Sequence, residues 1–266
     1  MKIGMCRGFT VEDGEVFIKE FDVAKTLGFD YFEIGYHTIE KFTEEEFQKA
    51  LKYIKDNQIT VLSANLFAPA ELKLTGEEKD EQKIIDFCHK TGARAKQMGL
   101  RKVVMGSGGA RNRPNGYPVD KANAELEASV KLSASILKEY GITLIVEHLN
   151  KQDSNILTLF SESVELSRKC KNVKSILDTF HFEVSNEDKS IIKQNQDAIG
   201  HVHFARLIGR AMPQFEDICE IEPMMKIIKS CDYDDLLSFE CQFGNLTENR
   251  ESYAKVVQYF KEYFNA

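Results

Sequence analysis

The chain of 266 residues lacks paired cysteines: its six thiols are scattered and no CxxC occurs, so neither a disulfide framework nor a thiolate metal cluster is indicated. Long apolar runs are missing too. None approaches the roughly 18 residues of a membrane helix, and no membrane association is expected. Proline is scarce, with five in all, and no Pro/Gly/Ser-rich stretch divides the chain. One domain spanning residues 1–266 is therefore expected. Positive charge is in deficit, 35 basic against 42 acidic side chains, which argues against nucleic-acid binding through phosphate neutralisation. The N-terminal MKIGMCRGFT lacks the charged-then-apolar order of a signal peptide, and a cytoplasmic chain is expected. What is present is ample core material: 42% hydrophobic residues, including 18 Phe and 9 Tyr. Disorder is excluded.

Short apolar runs alternate with helical patterns along the whole chain. Candidate strands are KIGMC (2–6), DYFEI (30–34), ITVLSAN (59–65), RKVVM (101–105), ITLIVE (142–147), KSILD (174–178), HVHF (201–204) and LLSFE (236–240). Most are continuously apolar, as strands covered on both faces of a parallel sheet are. Between them lie amphipathic stretches. In 43–57, Phe47, Leu51 and Ile54 recur at helical spacing, and Thr43 with Glu46 reads as a capping box. Gly141 ends a second helix over 122–141, and a third covers 247–264. Eight strand–helix units of this size predict an α/β fold, a (β/α)8 TIM barrel, with a doubly wound open sheet as the alternative.

Four strands in the second half end in a metal-ligating side chain: Glu147, Asp178, His203 and Glu240. Their spacings of 31, 25 and 37 residues average close to one strand–helix unit. In a barrel that spacing brings all four to the C-terminal rim, where active sites of this fold lie. Polar residues commonly begin the loop after a strand, and any one of the four taken alone needs no other explanation. Three carboxylates converging without a cation would repel one another and raise one another's pKa. A divalent ion removes that cost. Three oxygens, one nitrogen and no thiolate suit manganese first, with magnesium, cobalt or zinc as alternatives.

The strings IVEHLN, ILDTFH, GHVHFA and SFECQ, with GSGGAR after the fourth strand, resemble the xylose-isomerase-like TIM-barrel superfamily of sugar and sugar-phosphate isomerases and epimerases. The ketose 3-epimerases are the most similar in motif. The resemblance implies that Glu147, Asp178, His203 and Glu240 hold one divalent metal and that His181 contacts the substrate. It also implies that Glu147 and Glu240 form the catalytic acid/base pair. Asn150 and Arg210 lie near positions of substrate contact in that family. A metal on the carbonyl and neighbouring hydroxyl of a ketose would stabilise an enediolate, so proton transfer would give an isomerase or epimerase.

Arg7, Arg111, Arg113, Arg206 and Arg210 all follow predicted strands, on the catalytic rim. Any one of them alone reads as a solvated loop residue. Together they suggest an anionic substrate, so a sugar phosphate is as much expected as a neutral sugar, and Arg111 and Arg210 are expected to bind it. His201, two residues before His203, reads as a hydrogen-bonded core histidine. His148 should point into the helix interface, and His37 and His89 read as surface residues. The loop 106–118 is Gly-rich but fits no nucleotide fingerprint. Segment 64–82 reads as a lid. The alternatives to an isomerase are an inosose-dehydratase-like lyase, a hydroxypyruvate-isomerase-like enzyme and a non-catalytic sugar-binding barrel. An endonuclease-IV-like nuclease is disfavoured, because Asn65 and Ser107 stand where that group needs histidines. A homo-oligomer is compatible with the chain, since Val256, Val257 and Phe260 read equally as core or interface.

Overall fold

A computed structural model describes residues 1–266. It contains ten strands: β1 (Lys2–Cys6), β2 (Phe9–Glu12), β3 (Glu15–Ile18), β4 (Tyr31–Gly35), β5 (Val61–Asn65), β6 (Lys102–Met105), β7 (Thr143–Val146), β8 (Val173–Asp178), β9 (Ile199–Phe204) and β10 (Leu236–Phe239). Eight of them close into a barrel in the order β1-β10-β9-β8-β7-β6-β5-β4. Every neighbouring pair is parallel, with helices between successive strands. The fold is the predicted (β/α)8 barrel, and all eight predicted strands are barrel strands. No helix is long and apolar enough to cross a membrane.

β2 and β3 are an addition to the predicted layout. They form an antiparallel hairpin inserted after β1, turning at Asp13–Gly14, both with positive φ. Asp-Gly between short β-prone runs is the residue pair such a turn requires. Phe9 seats the hairpin edge-on against Phe42 and Tyr53.

The barrel's outward faces meet the helices in one apolar core. Val256, Val257 and Phe260 belong to it: Phe260 packs on Phe204 and Phe239 at 5.0 and 4.8 Å between ring centroids. The interior divides into two halves. On the side of β6, β7 and β8, Val104, Ile145 and Ile176 form a small separate apolar cluster. The opposite side carries Tyr31, Glu33, Ser63, His201, His203 and Ser238, all buried, from β4, β5, β9 and β10. Gly4 of β1 completes this half. A Cβ there would lie 2.3 Å from the Tyr31 ring, so only glycine leaves room for it. At the N-terminal end, Lys102 closes the floor by donating to the Gly200 carbonyl and to Asp235.

The helix Glu44–Asp56 starts at the predicted capping box, with Thr43 and Glu46 exchanging hydrogen bonds. Thr43→Ala should cost about 1 kcal/mol. In a chain of this size that is a fall of roughly 2–4 °C in Tm, readable by calorimetry.

Candidate metal centre

Strand ends assemble the centre. Glu147 directly follows β7, Asp178 is the last residue of β8, His203 lies in β9 and Glu240 directly follows β10. Asp178 is also the N-cap of the helix Thr179–Ser185, accepting from the His181 N–H at 2.8 Å, so helix and carboxylate orient each other. One ligand atom from each of the four side chains lies within 4.8 Å of the others. His203 Nδ1 is 3.2 Å from Glu240 Oε2, 3.6 Å from Glu147 Oε1 and 3.7 Å from Asp178 Oδ2.

Two buried atoms aimed into this cluster, His203 Nδ1 and Glu147 Oε1, have no hydrogen-bond partner. Native interiors rarely leave such atoms unpaired. Three carboxylates, one imidazole and two orphaned ligand atoms fit a divalent cation.

The electrostatics carry the same imprint. Burial, aided by Glu240 and Asp178, raises the Glu147 carboxyl above its ordinary value despite His203. Burial works against ionised Asp178 as well, but His181, His203 and Arg210 outweigh it and hold that carboxyl low. Glu240 is similarly held down by His203 and Arg210 against burial. Burial alone would depress His203; Glu240 and Glu33 reverse that and raise it well above its usual value. The protein's own cations thus compensate the cluster. The Arg210 guanidinium pairs with Glu240, lies 3.4 Å from Asp178 and rests over the Phe180 ring. Arg210 itself has φ of 48°, a strained left-handed conformation for a side-chain-bearing residue.

Above the cluster opens a cavity of about 480 Å³. Glu147, Glu240, His181 and Arg210 line it, as do His37, Lys41 and Asp153, whereas Asp178 and His203 lie behind the two glutamates. His181 Nδ1 accepts from the Asn150 backbone N–H, and the Asn150 side chain continues to Asp153. This leaves His181 Nε2 as the hydrogen-bearing nitrogen. His201 is a buried core histidine as expected, bonded through Nε2 to Glu33. His148 packs between Phe160 and Phe182, and burial drives its pKa down to about 3.

Several expectations are corrected. Arg111 does not reach the cavity. It is fully buried and donates to the carbonyls of Met105 and Glu147, clamping the ends of β6 and β7 together. The expected arginine rim is also absent: Arg7 pairs with Glu20, Arg206 with Asp217 and Glu220, and Arg113 donates to the Tyr117 carbonyl. Only Arg210 faces the site. Segment 64–82, expected as a lid, lines the cavity through Leu66, Ala68, Pro69, Ala70 and Glu71. Phe67 is buried and stacks on Tyr36, and Ala68 and Leu74 donate to Ser107 Oγ and the Ala110 carbonyl. His37, expected at the surface, lines the cavity.

Three contributors were not foreseen. Asn65 donates to Glu240 Oε1 at 2.6 Å, orienting that carboxylate. Gly106 makes room for another: a Cβ there would lie 2.1 Å from Glu147 Oε2. Glu33 accepts from His203 Nε2 at 2.8 Å, behind the centre. Its signal was a lone charge inside the apolar run DYFEI.

Fold and site together define a (β/α)8 barrel with a carboxylate–imidazole cluster at its C-terminal mouth. The chain belongs to the xylose isomerase-like TIM-barrel family, whose model it matches over residues 21–263. It is 29% identical to the D-psicose 3-epimerase of Agrobacterium fabrum over 192 residues, 68% of this chain and 64% of that protein. The match thus spans just under two thirds of the curated relative. Among solved structures, the 3-keto-D-glucoside 4-epimerase YcjR of E. coli has a TM-score of 0.74 at 16% identity, covering 98% of this chain and 99% of its own. The IOLI protein, with a bound zinc atom, has a TM-score of 0.68 at 14% identity, covering 99% of this chain and 98% of its own. These two likenesses concern the fold.

Two outcomes are expected. His203 and Glu147, both with raised pKa, must lose protons to ligate a cation. Metal binding should therefore release protons and tighten as pH rises, weakening as pH falls through the raised pKa of His203 and then that of Glu147. Calorimetric titration of the metal-free protein in buffers of different ionisation enthalpy measures this directly. Gly106→Ala should displace the Glu147 carboxylate and weaken Mn²⁺ binding at least about tenfold, read in the same titration.

Proposed function

We propose that this protein is a divalent-metal-dependent sugar isomerase or epimerase working by proton transfer through an enediolate. The observation that carries the reading is the sorting of the four ligands. Glu147 and Glu240 line the cavity, whereas Asp178 and His203 lie behind them. The glutamates are therefore the groups within reach of a bound substrate.

The ion, when bound, supplies Lewis-acid polarisation of a ketose carbonyl and acidifies the adjoining C–H bond. Asp178 and His203 serve to hold it. β7 and β10 stand three strands apart around the ring, so Glu147 and Glu240 approach from separated directions. One removes the proton next to the carbonyl and the other returns one to the opposite face, giving epimerisation; return to the adjacent carbon gives isomerisation. Asn65 keeps Glu240 oriented. His181, with its hydrogen on Nε2, donates to a substrate oxygen. Arg210 supplies a second donor from its seat on Phe180. The other rim arginines are engaged elsewhere, but Lys41 lines the cavity together with Arg210, so a neutral ketose and its phosphate are both candidate substrates. The similarity to a curated D-psicose 3-epimerase supports this reading. A three-metal nuclease is disfavoured, since Asn65 and Ser107 already bond Glu240 and Ala68.

The test is proton exchange. Fructose, tagatose, psicose and their phosphates are incubated with Mn²⁺-loaded protein in deuterated water and followed by NMR. Wild type should incorporate deuterium at the carbon next to the carbonyl. Glu147→Gln and Glu240→Gln should each lose about 10²–10⁴-fold in rate with metal occupancy checked in parallel. Exchange on none of these sugars by metal-loaded wild type would overturn the proposal.

A further inference from the structure

We propose that Glu33 is a positioning residue for the metal centre: from inside the barrel it fixes the tautomer and orientation of the His203 ring, so that Nδ1 is presented as a ligand. The inference rests on the metal-centre reading above and adds a residue that lies outside the cavity.

Glu33 is fully buried in β4, and all its partners lie on other strands. Oε1 receives His203 Nε2 at 2.8 Å. Oε2 receives His201 Nε2 at 2.8 Å, Ser63 Oγ at 2.7 Å and Ser238 Oγ. Tyr31 OH meets Ser238 Oγ at 2.7 Å, extending the network to a fifth side chain. Both carboxylate oxygens are thus occupied as acceptors. A carboxylate cannot donate, so the nitrogen of His203 facing it must carry the hydrogen. When the ring gives up its second proton to bind a cation, the lone pair is therefore left on Nδ1, the atom that faces Glu147, Asp178 and Glu240.

The surrounding architecture serves this arrangement. Removing a carboxylate from water is costly, and an apolar interior is the cheaper way to fill a barrel. On β6, β7 and β8 this barrel does use an apolar filling. On the other side it surrounds one acid with two imidazoles and two hydroxyls, and Gly4 clears the space that Tyr31 needs. A carboxylate behind a metal-bound histidine fixes the ring and raises its basicity, and loss of such a partner typically weakens metal binding about 10–100-fold. The Ser63, Ser238 and His201 bonds in turn hold Glu33 against rotation.

The experiment compares wild type with Glu33→Gln, whose amide can turn its NH₂ toward His203 and so favour the hydrogen on Nδ1. Mn²⁺ affinity is measured by calorimetry on metal-free protein. The ring tautomer is read by long-range ¹H–¹⁵N correlation on histidine-labelled protein loaded with Zn²⁺, with His203 assigned through its shift on metal addition. The expected result is wild-type His203 protonated at Nε2 and an affinity about 10–100-fold weaker in the variant, with a changed or mixed His203 tautomer. Equal affinity with an unchanged tautomer in Glu33→Gln would overturn the role of Glu33 alone. Should the variant not fold, the wild-type spectrum decides: a metal-loaded His203 without hydrogen on Nε2 refutes the inference. Wild type that binds neither Mn²⁺ nor Zn²⁺ would instead overturn the functional reading together with this one.

Discussion

Four carboxylates, Glu33, Glu147, Asp178 and Glu240, surround the single imidazole of His203 in a space from which water is largely removed. Like charges so placed repel strongly, and the rest of the site is organised to offset that repulsion. His203 takes one carboxylate on Nε2 and turns Nδ1 toward the other three. Arg210 covers Asp178 and Glu240 from above. Asn65 and the Asn150–His181 pair satisfy remaining polar atoms. What stays unsatisfied, His203 Nδ1 and Glu147 Oε1, marks where a cation fits. Arg210 reaches both Asp178 and Glu240 from a strained, left-handed backbone.

This constraint extends through the barrel. Charge at the mouth is backed by hydrogen bonds deep inside β4, β5, β9 and β10, while β6 to β8 are packed with branched apolar side chains. Rigidity follows on both sides, from close packing on one and directed bonds on the other. The walls of the cavity are tied by further contacts. Arg111 ties β6 to β7 through their terminal carbonyls, and Phe67 anchors the segment opposite. Glycines 106, 108 and 109 let these walls approach closely: a Cβ at any of the three would crowd Glu147, Asp153 or Ala70. In the Gly-rich loop 106–118, these three glycines are therefore required by close packing.

The eight strands and the four rim side chains were legible in the sequence because both depend on local pattern. A strand buried on both faces is mostly apolar, and its C-terminal residue lies at the mouth whatever its neighbours are. The Asp13–Gly14 hairpin was equally local, yet its half-exposed, polar-interrupted strands do not resemble barrel strands. The arginines were misread for a different reason. Position after a strand puts a guanidinium near the rim, but whether it is free depends on how the folded loops place its partners, such as the Leu157 carbonyl for Arg111 or Glu220 for Arg206. Glu33 was the hardest to see. Its bond to His203 joins residues 170 positions apart, and nothing near Glu33 in sequence hints at an imidazole.

By itself, then, the sequence determined the kind of fold, through the periodicity of its apolar residues, and the donor chemistry of the site, through four polar side chains spaced one strand–helix unit apart. Both are properties of short stretches and survive any choice of neighbours. Tertiary structure alone decided that the sheet closes, which arginine faces the cavity, which glutamates front it, and which nitrogen of His203 carries its hydrogen. Those outcomes depend on distances between residues that the chain keeps far apart and only the closed barrel brings within hydrogen-bonding reach.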